Sequence, residues 1–452
     1  MSRILCYGPD LGPAFLASNE AKFFEDPRNR LARNVLTRLD VQDVVLDRER
    51  EAATDHVFSK KIAMEGEVTS QGSSGRCWLF AALNVVRLEM MNRLQLRSDF
   101  ELSQSFLYFY DKLERANYFL CSILRTIDDP VDTRVVSHLL SAPMNDGGQW
   151  SMMVNLVAKY GLVPKLAYPD SAPATNSRPM NWALTLKLRE FAAQLRAAFR
   201  KGTPFEELVA RKEGMLATVH SILLAHLGAP PQRFDWCYYD SKGVYHEHRD
   251  LTPRTFMRDF VEVDLTEYVS LVHDPRNEYG QVYTVEYLGN VVEGDMVRYV
   301  NAPIDAIRNA VVATIDAGEP VWFGCEVAKF LAAKKASMDL RMFDYKLLLG
   351  TELGMSKEDR LLYGESCMTH AMVFTGYDRK EGDERPRKYR VENSWGAKRG
   401  AKGYFVMTDE WFDEYVFQVA IHKKYLPPEL VEAVSKSPVY LPPWDPMGAL
   451  AE

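Results

Sequence analysis

Gln71-Gly-Ser-Ser-Gly-Arg-Cys77-Trp-Leu-Phe-Ala-Ala-Leu83 joins a glycine- and serine-rich turn to an apolar run, and the change of pattern at Cys77 predicts a loop that delivers one cysteine to the first turn of a buried helix. The unpaired N–H groups and positive dipole end of a helix stabilise a thiolate, and the thiolate rather than the thiol is the nucleophile. Gln71 leads into the same turn. Its carboxamide N–H beside the Cys77 backbone N–H would aim two donors at one point, an oxyanion hole for acyl transfer. A single cysteine ahead of an apolar helix is otherwise a core residue, so the reading depends on partners elsewhere in the chain.

A catalytic cysteine needs a base, and the base needs a group that holds its tautomer. Met368-Thr-His370-Ala-Met-Val-Phe-Thr-Gly-Tyr377 reads as a buried strand carrying one imidazole, and Tyr389-Arg-Val-Glu-Asn393-Ser-Trp395-Gly396 as a strand ending in Asn-Ser-Trp-Gly. The polar turn from Asp378 to Arg387 joins them as a hairpin. Asn393 then orients His370, and Trp395 shields that hydrogen bond from water, which strengthens it.

On these segments the chain resembles the papain-like cysteine peptidases, and within them the bleomycin hydrolase and aminopeptidase C branch. The resemblance continues through Leu102-Ser-Gln-Ser-Phe-Leu-Tyr108, Asn145-Asp-Gly-Gly-Gln-Trp150, Tyr283-Thr-Val-Glu-Tyr287, Val321-Trp-Phe-Gly-Cys325, Met407-Thr-Asp-Glu-Trp411 and the tail Leu441-Pro-Pro-Trp-Asp-Pro-Met-Gly-Ala-Leu-Ala-Glu452. It implies an α+β fold of papain type, two-lobed with a helical lobe and a β-barrel lobe, carrying a large helical insertion and N- and C-terminal extensions. It makes Cys77 the nucleophile, His370 the base, Asn393 its orienter and Gln71 the oxyanion donor. It places Asn145, Gly147, Gly148, Trp395, Ala451 and Glu452 against substrate, the glycines because they let a substrate backbone approach closely. It implies a cysteine aminopeptidase acting on peptides with a free α-amino group, with bleomycin-hydrolase-like activity, no metal or organic cofactor, and a homohexameric ring whose active sites face an inner channel. Secreted papain-like enzymes carry another cysteine three residues before the nucleophile; here that position is Ser74, which fits a reducing compartment.

The wider composition agrees. The 452 residues, 47% hydrophobic and 26% charged, are those of a globular protein of about three domains. The net charge of −7 asks for no polyanionic partner, so nucleic acid is not expected. The N-terminus, Met-Ser-Arg-Ile-Leu-Cys-Tyr-Gly-Pro-Asp, has no signal-peptide pattern and no stretch has the length of a membrane span, so the expectation is a cytosolic protein without membrane contact. Cys6, Cys77, Cys121, Cys237, Cys325 and Cys367 are scattered, which predicts neither a disulfide framework nor a zinc site.

Taken in order, residues 1–54 hold an amphipathic segment near Ala32 to Leu46 and resemble an N-terminal extension that makes oligomer contacts. Residues 55–170 form the helical half with the nucleophile: a helix from Cys77 to about Leu94, another capped by Ser103, and a third after the Gly147-Gly148 turn. Residues 171–290 are a largely helical insertion, with long amphipathic helices from Asn181 to Leu227 broken near Lys201-Gly-Thr-Pro204, then a hairpin around Asp240-Ser-Lys-Gly243. Cys77 and His370 lie roughly 160 residues further apart than the about 130 that the papain pattern places between them, which is room for such an insertion. Residues 291–430 form the strand-rich half with His370 and Asn393, where Cys325, Cys367 and His422 read as structural. Residues 431–452 are an arm: its prolines fix an extended course, Trp444 is one large anchor, and by resemblance the arm enters the active-site cleft so that a terminal carboxylate at Ala451 or Glu452 pairs with the substrate amine. The competing reading from another class is a papain-like scaffold or nucleic-acid binder without peptidase activity. The presence of Gln71, Cys77, His370 and Asn393 together argues against it, since a scaffold needs none of them.

Overall fold

The computed structural model describes residues 11–451. It divides into two compact units, the first made of residues up to Thr54 together with Asp339–Met355, and the second of the remainder. In the first unit the helices Pro13–Glu25 and Pro27–Leu36 start on prolines, whose missing N–H costs nothing at a helix start. The segment around Leu46 is bridged to Phe343, with Asp47 N–H donating to Met342 O at 2.9 Å and Asp344 N–H to Val45 O at 2.8 Å. The amphipathic stretch read near Ala32 to Leu46 is broken between Leu36 and Val41, where Asp40 caps a new short helix, Val41–Val45.

The second unit begins its helical part with Cys77–Leu94, buried on nearly every side, as a run with more than one apolar stripe requires. Gln104–Arg125 follows, capped by the Ser103 side chain at Phe106 N–H, and Trp150–Tyr160 starts straight after the double glycine. Arg178–Arg200 and Phe205–Leu227 are long helices, separated at the predicted Gly-Thr-Pro break. Phe234–Tyr239 and Tyr245–Leu251 make the expected separate hairpin.

The other strands of the described residues form one twelve-stranded sheet. Val321–Cys325 lies near its middle, antiparallel to Val416–His422 on one side and to His370–Asp378 on the other. Lys388–Glu392 pairs beyond His370–Asp378, and Tyr404–Thr408 beyond that. All nine residues of His370–Asp378 are buried, which is what its unbroken apolar pattern demands. At the far end Val439–Leu441 adds to Val282–Val285 in parallel and leads the chain back toward the helical part. The Cys77 helix packs on the two strands that carry His370 and Cys325. Trp78, Trp150 and Trp322 are fully or almost fully buried, and Trp322 Nε1–H donates to Trp78 O at 3.2 Å, tying helix to sheet one residue after the cysteine.

Gly161 ends the helix Trp150–Tyr160 at φ 77°, ψ −158°, a conformation essentially reserved for glycine, and a Cβ there would lie 2.4 Å from Pro253 O. Gly161→Ala is therefore expected to destabilise the protein by about 1–3 kcal/mol, read as a lowered midpoint of thermal unfolding, whereas an unchanged midpoint would show that this turn relaxes freely.

Candidate active site

Cys77 is the first residue of its helix and is fully buried. The loop before it is held from inside. Arg76, itself fully buried, donates from Nη1 to Asp170 Oδ1 at 2.8 Å and to Ser105 Oγ at 2.9 Å, and from Nε to Ser74 Oγ at 2.9 Å. Burial alone would raise the Asp170 pKa, but Arg76 and Lys165 hold it at about 2. Ser74 Oγ–H donates to Gln71 O at 2.7 Å. Gln71 Nε2–H donates to Ser74 O at 2.5 Å, so one amide hydrogen is spent inside the loop.

The segment 69–71 is paired with 394–396. Gln71 N–H donates to Ser394 O at 2.8 Å, Gly396 N–H to Thr69 O at 3.0 Å, and Ser394 Oγ–H to Gln71 Oε1 at 2.6 Å. Ser394 thus fixes which way the Gln71 amide faces. The residue before it, Asn393, accepts at Oδ1 from His370 Nε2–H at 2.9 Å. With Nε2 carrying the hydrogen, the neutral ring keeps Nδ1 as its basic atom. The Trp395 ring lies 5.0 Å from the imidazole, centroid to centroid, and His370 and Asn393 are both buried. Cys325 is the cross-strand partner of His370, and its thiol pKa is pushed up by burial, with Glu326 and the nearby Cys77 adding to the rise. The helix that starts at Cys77 packs on the strand that starts at His370. Burial lowers the His370 pKa to about 4, with the Asn393 hydrogen bond opposing the fall, so the ring is neutral at pH 7 and able to take a proton.

The glycine turn is pinned by Asp146. Its carboxylate accepts from Gly75 N–H at 3.1 Å, Tyr108 OH at 2.7 Å, Asn181 Nδ2–H at 2.6 Å and Ser177 Oγ–H, and pairs with Lys112 Nζ at 2.6 Å. Burial would raise its pKa, yet the Lys112 ammonium and these donors hold it far below the usual carboxylate range. Its carbonyl accepts from Trp78 Nε1–H at 2.8 Å. Asn145 Oδ1 accepts from Arg115 Nη1–H at 3.0 Å, and Gly147 O accepts from Arg115 Nη2–H. Gly148 packs face-on against Trp78: an added Cβ would sit 2.4 Å from the indole. A further buried link joins the two halves of the site. Glu392 accepts from Asn84 Nδ2–H at 2.9 Å and faces Arg87 at 3.5 Å; burial pushes its pKa up to about 7 against the Arg87 charge.

The C-terminal arm reaches this place. Arg276 joins Asp274 and Asp445 at 2.8 and 2.9 Å, and the Arg134 guanidinium lies 3.8 Å over Trp444. Tyr299 OH then donates to Met447 O at 3.1 Å, Gln149 Nε2–H to Ala449 O at 2.7 Å, and Gly148 N–H to Ala451 O at 3.3 Å. Ala451 is fully buried; Glu452 lies outside the described residues. A cavity of about 630 Å³ opens beside the arm, between Asn145, Thr369 and Leu450.

The family model described as the Peptidase C1-like family matches residues 11–448. Bleomycin hydrolase of Gallus gallus is 44% identical over 94% of this chain and 96% of its own length, and that of Homo sapiens 43% identical over 95% and 96%. The chain belongs to the Peptidase C1-like family. Aminopeptidase C of Lactobacillus delbrueckii subsp. lactis is 42% identical over 88% of this chain and 89% of its own. The crystal structure of PepW from Lactobacillus rhamnosis superposes with a TM-score of 0.95 at 40% identity, covering 98% of this chain and 99% of that one. Membership in this peptidase family accounts for the mixture of helices and strands.

Most residues singled out in the sequence lie here: Gln71, Cys77, Asn145, Gly147, Gly148, His370, Asn393, Trp395 and Ala451. Sequence reading gave no role to Asp146, Ser394, Arg76 or Glu392. Asp146 and Ser394 stand inside motifs it quotes, but their partners at positions 71, 75, 108, 112, 177 and 181 are spread over several elements.

His370 also makes folding pH-dependent. Its folded pKa of about 4 lies below its ordinary 6.5, so between those values the unfolded chain binds more protons. The stabilisation is complete above pH 6.5 and is lost as the pH falls toward 4, on the order of 3 kcal/mol in all. Chemical denaturation across this range should show a steeper acid loss for the wild type than for His370→Gln; equal slopes would contradict a neutral buried imidazole.

Proposed function

We propose that the protein is a cysteine aminopeptidase. In this reading the His370 Nδ1 takes the Cys77 proton as Sγ attacks the carbonyl carbon of the first peptide bond. The tetrahedral oxyanion is met by the Cys77 backbone N–H and the remaining Gln71 Nε2–H. His370 then gives its proton to the leaving amine, the C–N bond breaks and a thioester remains. Water attacks that thioester with His370 as base, releasing the amino acid and regenerating the thiol. Asn393 keeps the imidazole in the productive tautomer throughout.

The observation that carries the exopeptidase part is the position of the arm. Residues 449–451 run along the Gln149 side chain and Gly148 N–H, the kind of backbone pairing a bound peptide makes, and Ala451 is buried there. A substrate can extend on that side no further than the arm allows, which favours a first residue with a free amine. A bleomycin-hydrolase-like activity rests on the names of the relatives. The resemblance read in the sequence further implies a two-lobed arrangement with the cleft between helical and strand halves, a cytosolic setting and a homohexamer, with residues 1–54 the place for subunit contacts and 171–290 an insertion. No helix among the described residues is long and apolar enough to cross a membrane. The net charge of −7 argues against a nucleic-acid partner.

Two measurements test this. Cys77→Ser is expected to abolish hydrolysis of aminoacyl fluorogenic amides while leaving the unfolding midpoint nearly unchanged, and Gln71→Ala to lower kcat by about 10²; an active Cys77→Ser variant would refute the chemistry. Deleting residues 448–452 is expected to lower activity on a free-amine substrate and to admit its N-acetylated form. An undiminished preference for the free amine would refute the role of the arm and leave the thiol chemistry intact.

A further inference from the structure

Beside the Cys77 loop, a cavity of about 650 Å³ is walled by Ser74, Gly75 and Asn145 on one side and by the helix Arg178–Arg200 on the other. That helix contributes Arg178, Trp182 and Leu186. Trp182 and Leu186, one turn apart, are 69% and 55% exposed, high for side chains of their size. The start of the insertion is fastened to the Cys77 loop: Ser73 N–H donates to Thr175 O at 2.7 Å, and Ser177 and Asn181 bind the Asp146 carboxylate that also takes Gly75 N–H. The helix wall is thus held in register with the nucleophile. The loop from Gly72 to Gly75 offers only glycine and serine, so it leaves the space open.

We propose that this cavity receives the side chain of the substrate's first residue, and that Trp182 and Leu186 are specificity-determining residues which favour long apolar side chains there. The inference rests on the aminopeptidase reading above. Gly75, two residues before Cys77, and Asn145, three before the Gly148 that binds the arm, both line this cavity, so it lies within side-chain reach of a residue presented to Cys77. Trp182 and Leu186 supply apolar surface for it to cover. The charges around the cavity do not invite a cation. The Asp146 carboxylate is consumed by Lys112 and its four hydrogen-bond donors, Arg189 is turned to Leu140 O and Ser141 O at 3.0 and 2.8 Å, and Arg178 stands exposed at the rim.

The test uses the full-length protein and aminoacyl amides of one fluorogenic leaving group that differ only in the first residue: alanyl, leucyl, phenylalanyl and lysyl. For Trp182→Ala and Leu186→Ala the leucyl-to-alanyl ratio of kcat/KM is expected to fall about tenfold, about 1.4 kcal/mol of transition-state binding, with Trp182→Phe retaining most of it. Arg178→Glu is expected to raise the lysyl-to-leucyl ratio severalfold. Equal losses on all four substrates, or unchanged ratios, would overturn the assignment. So would a change of oligomeric state by light scattering in Trp182→Ala with the ratios intact, since the exposed face would then belong to a second copy of the chain. A wild type that hydrolyses none of the four would refute the aminopeptidase reading, and this inference with it.

Discussion

The pairing of residues 69–71 with 394–396 is the constraint on which the site depends. Two backbone hydrogen bonds and the Ser394 hydroxyl on the Gln71 amide join the segment that leads into the Cys77 helix to the segment that follows Asn393. Cys77 and Gln71 come from the helical part, His370 and Asn393 from the sheet, so nothing in local sequence keeps them in register. A misplacement of about an ångström at a reacting centre can cost about a hundredfold in rate. The pairing, with the buried Asn84–Glu392 bond and the Trp322–Trp78 contact behind it, removes that freedom before any substrate binds.

The same logic explains why so many polar groups are buried around one thiol. Isolated, each of Arg76, Lys112, Asp146 and Glu392 would be costly to remove from water. Arg76 and Asp146 instead satisfy partners that shape loops: Arg76 the turn before Cys77, Asp146 the double-glycine turn and the start of the helix Arg178–Arg200. Rigidity is obtained by spending side-chain hydrogen bonds on segments that belong to no helix or strand, one of the ways such segments can be buried.

Much of this was legible in the residues. The helix Cys77–Leu94 announces itself by the switch from Gly/Ser to an apolar run, and the buried strand His370–Asp378 by an unbroken apolar pattern with a single imidazole. The break between the insertion helices follows from Gly202 and Pro204. Long-range satisfaction of polar groups was not legible. Nothing local to Asn145-Asp-Gly-Gly148 says that Asp146 collects a lysine from one helix, two donors from another and an N–H from the nucleophile loop. Likewise, the return of residues 339–355 to the N-terminal unit depends on backbone bonds such as Asp47 to Met342, which carry no side-chain signature.

The proposed function makes Cys77 the reactive group and the arm, bound at Gly148 and Gln149, the limit to substrate on its side. Alkylation by an aminoacyl chloromethyl ketone, in which a nucleophilic sulfur displaces chloride, tests both parts at once when the modified protein is digested and mapped by mass spectrometry. The account predicts one adduct, on Cys77, formed with the free-amine reagent and scarcely with its N-acetylated form. Alkylation of a different cysteine, or equal alkylation of Cys77 by both reagents, would contradict it.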